Sequence, residues 1–129
     1  MHIEIFCLCR AVTFNTNREP SLIDIFDTHW ATGEPALIEP FVVAASVRFY
    51  SSELGLHRFE FVVTDDTGMV LVRSTEIVSI SELSTPSMTH FIQSNMGRTG
   101  LRFGAYEFSI QLAGKRIAHS PMYVKLGTR

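Results

Sequence analysis

Cysteine is nearly absent from this chain: Cys7 and Cys9 are the only two in 129 residues. On a strand, an i, i+2 pair points to one face with about 6–7 Å between positions, because each residue rises roughly 3.3 Å. That separation is too wide for an unstrained disulfide. A tetrahedral metal site needs further soft ligands, and no third cysteine supplies one. Both thiols are therefore expected to be buried core residues, in a protein of a reducing compartment such as the cytoplasm.

Long apolar runs are missing as well. The longest is "FVVAASV", residues 41–47, far short of the roughly 18 residues that a membrane helix requires. In the opening "MHIEIFCLCRAV", Glu4 and Arg10 bracket a short uncharged stretch and no basic run precedes it, so no secretory signal and no membrane association is expected. No segment of ten or more residues carries a helical apolar stripe; one turn at most is expected in "SISELSTPSM", where Pro86 ends it. There is no Gly-x-Ser-x-Gly, no visible Cys–His neighbourhood, and "GRTG" at residues 97–100 lacks the Lys-Ser or Lys-Thr of a phosphate loop and reads as a turn. Catalytic residues, cofactors and metals are accordingly not expected, and the chain is read as a non-enzyme.

Alternation is what the chain has in quantity. In "GAYEFSIQLAGKRIAHSPMYVKL", residues 104–126, Tyr106, Phe108, Ile110 and Leu112 alternate with polar neighbours, the signature of a strand with one wet face. Gly114-Lys115 marks a reversal and a second strand returns as a hairpin. Its apolar phase slips from Ile117 to Met122, Val124 and Leu126, which requires a bulge, expected at Ser120-Pro121. The same period places Ile3, Ile5, Cys7 and Cys9 on one face of a first strand, residues 22–30 in a second, and Phe41, Val43, Ala45, Val47 and Phe49 on one face of a third. Phe59, Phe61 and Val63 begin a hairpin that turns at "DDTG" and returns over residues 69–74; residues 89–95 are a further candidate. "NTNREPS" and "ATGEPALIEP" read as loops. The expectation is a single domain, residues 1–129, folded as an antiparallel β-sandwich of seven or eight strands.

The segment "LRFGAYEFSIQLAGKRIAHSPMYVKL" resembles the last two strands of bacterial immunoglobulin-like sandwiches, through Gly104-Ala105-Tyr106, Gly114 and Pro121. The resemblance implies that Tyr106 buries its ring while its hydroxyl reaches back to the main chain of the preceding connection. No cysteine follows Tyr106 and Trp30 is the only tryptophan, so the antibody-type variety is not implied. With its start "MHIEIFCLCRAV" and the segment "IFDTHWA", the whole chain also resembles an uncharacterised bacterial family of stand-alone immunoglobulin-like proteins of about this length, which implies no catalytic residues.

Candidate contacts are few. His2, His29, His57, His90 and His119 are scattered and none has a partner at metal-ligand spacing. Asp24 and Asp27 fall on opposite faces of a strand, and Asp65-Asp66 belong to a turn. "DTHWA" is the densest functional cluster: Trp30 could present its ring to a ligand, with Asp27 and His29 beside it, although a lone tryptophan in a small sandwich is expected to be mostly buried and to close one end of the core. Residues 98–129 carry six basic groups against Glu107 alone, whereas residues 1–97 carry five basic and twelve acidic ones. Arg98, Arg102 and Arg116 are thus candidate partner contacts. A pI near 6.2 argues against nucleic acid, which leaves docking to a protein partner or to a second copy as a homodimer. The sparsely charged, two-sided apolar stretch "IEIFCLC" must lie centrally in a sheet or be covered, and coverage by a second copy is the favoured alternative. The functional expectation is a self-associating protein-interaction module, with a small-ligand or carbohydrate binder using loops near Trp30 as the alternative.

Overall fold

In the computed structural model, which describes residues 1–82 and 85–127, the alternating segments become strands and no described residue is helical. The single turn expected within residues 79–88 is not found among the described ones, where β7 runs to Ile80 and β8 starts at Ser87; residues 83 and 84 lie outside the described ones. Four strands, β1 (His2–Phe14), β2 (Pro20–Phe26), β5 (Phe41–Tyr50) and β8 (Ser87–Met96), form one sheet in the order β2-β1-β5-β8. Five more, β3 (Thr28–Ala31), β6 (Gly55–Thr64), β7 (Val70–Ile80), β10 (Gly104–Leu112) and β11 (Lys115–Leu126), form a second in the order β3-β11-β10-β6-β7. Two short strands, β4 (Ala36–Ile38) and β9 (Thr99–Leu101), pair with each other.

The protein is all-β, with more strands than the seven or eight expected. Residues 22–30 are not one strand: the chain leaves the first sheet at Asp27 and enters the second as β3, pairing in parallel with β11. The loops around Pro35 and Gly100 contain β4 and β9, each too short to show a period of two. Gly100 belongs to this small sheet; a Cβ there would meet Pro35 at 3.4 Å.

The core lies between the two large sheets. Phe41, Val43, Ala45, Val47 and Phe49 of β5 face Phe59, Phe61, Val63, Tyr106, Phe108 and Ile110, as the alternation requires. Phe41 meets Phe108 edge-on at 5.7 Å, and Phe6 stacks on Phe61 at 6.5 Å. Tyr106 donates its hydroxyl to the Arg102 carbonyl at 2.8 Å, a device that ties a strand to the connection before it.

Hairpin β10–β11 turns through Ala113 and Gly114, both at positive φ, the combination that a two-residue turn between right-twisted strands demands. The expected bulge is present but earlier: Ile110 pairs with Ala118 and Gln111 with Arg116, so Ile117 is the extra residue. Pro121 pairs regularly with Glu107. Tyr123, two residues on, donates its N–H away from β10 to the Asp27 carbonyl. Pro121 shares that outward direction, where β3 does not reach, and so its missing donor leaves no gap in the ladder.

β1 departs further from its pattern. Its register with β5 shifts between Ile3 and Ile5, so Ile3 packs on the core with Phe6 and Leu8 while Ile5, Cys7 and Cys9 face the other way. β5 accompanies β1 only to Cys9; beyond it β1 pairs with β2 alone. The Phe14 ring nevertheless meets Phe91 edge-on at 5.8 Å. Phe91 lies across from Ser46, and Ser46 across from Ile5; a straight β1 would hold Phe14 roughly 30 Å away at 3.3 Å per residue. The distal half of the β1–β2 hairpin therefore doubles back as an arm over the outward face of its own sheet. Beneath it Val12, Leu22, Cys7 and Phe91 pack around Cys9, Val42 and Ala44. The arm also changes face: Cys9 and then Val12 point inward, and Asp24 opposite the change has φ 54°. Thus "IEIFCLC" is paired with β5 along one side and with β2 on the other at Leu8 and Cys9, and the same chain covers its outward face at Cys7 and Cys9 while Ile5 stays exposed.

Candidate functional site

Two regions depart from a closed sandwich. The first surrounds β3. Asp27 is the joint between the sheets: its carbonyl accepts from Tyr123 and its carboxylate accepts from Thr28 Oγ1 at 2.8 Å. His29 and Trp30 are successive residues of β3, and both border one cleft at this sheet edge. Trp30 is 40% exposed, against the expectation that it closes the core. β3 is an edge strand of four residues, and among the described residues no sheet covers its outward face. Lys125, the register partner of Trp30, holds its Nζ 5.7 Å from the indole and 5.4 Å from the Tyr123 ring, within cation–π range.

His29 turns toward a cleft of about 800 Å³ that Arg10, Thr28, Trp30, Glu34 and Leu37 also line. Burial and then the Arg10 charge hold its pKa below the ordinary histidine value, while Glu39 and a main-chain hydrogen bond to Leu37 act in the opposite direction. The imidazole is therefore neutral at neutral pH. Arg10 lies with its guanidinium 3.9 Å from the centre of the Phe26 ring.

The second region is the side where the sheets end in β7 and β8. They meet at Ser74 and Ser94, whose hydroxyls are 3.1 Å apart. Beyond this bond the sheets part, leaving an apolar cleft of about 520 Å³ with Phe41, Val63 and Phe108 in its wall and Leu71, Val72 and Met96 beside them. Among the described residues no strand lies on the outer side of β7, and Met69, Val70, Leu71 and Val72 are all exposed. Leu71 is a bulge residue, because Val63 pairs with Val72 and Thr64 with Val70. Sequence reasoning passed over this stretch as an ordinary return strand. A signal was available: four consecutive apolar residues after a polar turn cannot all face one core.

The basic candidates do not converge. Arg98 pairs with Glu39 at 2.7 Å, Arg116 pairs with Glu107, and Arg102 is exposed and contributes its carbonyl to Tyr106. They stand on separate elements, and two of the three are neutralised locally. Asp65 bears out the turn reading: its carboxylate accepts from the Thr67 hydroxyl and from the Thr67 and Met69 amides, which holds its pKa low. Burial pushes both thiols upward in pKa, Cys7 further through its neighbour Cys9, so both remain protonated and unreactive at neutral pH. Among the described residues no three of His, Cys, Asp and Glu gather as a metal site, and no helix is long and apolar enough to cross a membrane.

The strands, the two-sheet core and the open β7 side define the class as an all-β protein with an unpaired sheet edge. Its family follows from sequence: the chain belongs to a family of unknown function (DUF6941), whose model matches residues 4–125. No curated protein matches the chain.

Proposed function

We propose that the protein is a non-enzymatic, cytoplasmic protein-interaction module on an immunoglobulin-like sandwich, and that it self-associates by adding a strand to β7. The observation that carries this reading is the row of exposed apolar residues Val70, Leu71 and Val72, preceded by exposed Met69, on a strand whose outer side has no sheet partner among the described residues. Strand addition satisfies the N–H and C=O groups of such an edge, and adjacent apolar pockets give it selectivity; here the cleft beside Leu71 and Val72 receives side chains. The tyrosine tie at Arg102 and the parallel β3–β11 pairing support the immunoglobulin-like assignment. An antiparallel β7 pair with its two-fold axis at Ser74 sets Leu71 beside the partner's Ile77, which is 65% exposed, on a shared face.

Sedimentation velocity at micromolar concentration is expected to show a dimer that Ile77→Asp converts to monomer without lowering the melting temperature, because the new carboxylate faces the partner's apolar strand in the pair and Arg58 within its own chain. A wild-type monomer throughout would remove the self-association. A second reading, a small-ligand or carbohydrate binder, is supported by the half-exposed Trp30 beside the β3 cleft.

A further inference from the structure

We infer that the β3 cleft binds a small organic carboxylate, its anionic group seated on Arg10 and its apolar body lying toward Trp30. The inference rests on the ligand-binding reading above and adds to it the chemical class and the residue that selects it.

A volume of about 800 Å³ lies within the usual range of small-molecule sites. Arg10 is half-buried and makes no ion pair with any described carboxylate. Arg48, Arg73, Arg98 and Arg116 each have one, and the other described arginines without one, Arg18, Arg58 and Arg102, are exposed. Stacking on Phe26 fixes one face of the Arg10 guanidinium, which leaves the in-plane donors that match a carboxylate two-to-two. A desolvated, immobilised cation without a counter-charge costs stability that a bound anion returns. His29 adds no positive charge of its own at neutral pH and supplies a neutral hydrogen-bonding ring. Glu39 is already held by Arg98, so it does not compete for Arg10. Glu34 also lines the cleft and repels an anion from its own wall, which confines the ligand's charge to the Arg10 end.

Benzoate is the probe, with benzamide as its neutral isostere, followed by NMR of the His29 imidazole and the Trp30 indole N–H. Benzoate is expected to shift both resonances saturably and to raise the His29 pKa, because an anion beside the ring favours its charged form; benzamide does neither. Arg10→Gln should weaken benzoate binding by about ten-fold or more, and Arg10→Lys, which keeps the charge without the fork, should fall between. Equal binding of benzamide and benzoate would overturn the carboxylate assignment while leaving a ligand site near Trp30 in place. Absence of any Trp30 or His29 response to benzoate would overturn the carboxylate site. Should Arg10→Gln fail to fold, the wild-type His29 titration with and without benzoate decides the matter.

Discussion

The first and last hairpins of the chain treat their residues in opposite ways. β10–β11 stays within one sheet, and after a single bulge at Ile117 the even-numbered Met122 and Val124 face the core, while Leu126 at the strand's end is exposed. β1–β2 begins in a sheet and ends on top of it, so the same strand serves the main core through Leu8 and a separate small cluster through Val12. Alternation therefore specifies a face only while a strand stays flat in its sheet, as the edge strands β7 and β8 do at Val78, Ile80 and Ile92. Where β5 stops at Cys9, β1 is free to twist and fold back.

The contrast is broken most severely at Tyr106. It is 8% exposed and belongs to the main core, so Tyr106→Ala should lower global stability by about 3–5 kcal/mol in denaturant unfolding. On the arm, Leu22→Ala removes a half-buried side chain and should cost only about 1–2 kcal/mol, acting locally: Cys7 and Cys9 should react faster with a thiol reagent while the main unfolding transition moves little. If Leu22→Ala and Tyr106→Ala lower the same transition equally, the arm is not a separate unit. Tyr106→Phe deletes only the bond to Arg102 and should cost about 1 kcal/mol.

The smallest effect concerns pH. Burial holds the His90 pKa below its ordinary value, as burial and Arg10 do for His29. Between the lowered folded value and roughly 6.5 the unfolded chain binds more protons than the folded one. Stability is therefore full above that window and declines as pH falls through it. His90→Gln should flatten the melting temperature between neutral and mildly acidic pH.

Much of the main core was legible in sequence because its strands alternate without interruption: Phe41 to Phe49, Phe59 to Val63 and Tyr106 to Ile110 occupy the positions their spacing assigns. The bulge was misplaced at Ser120-Pro121 because proline signals an open edge as well as a bulge, and the edge explains it here. Trp30 was misjudged since burial by residue type takes no account of sheet position, and only the sheet order reveals β3 as an edge. Of the candidate site, His29 and Trp30 were legible as a cluster. Arg10 was not, because it comes from a strand whose bend brings it beside β3.

The parallel pairing of β3 with β11 joins segments near opposite ends of the chain, Thr28–Ala31 with Tyr123–Leu126. A contact so distant in sequence closes a very large loop and slows folding. During synthesis β3 has no partner until residues 123–126 leave the ribosome, so His29 and Trp30 are displayed on an unsecured strand for most of translation. The cleft they line is consequently among the last parts of the molecule to be completed.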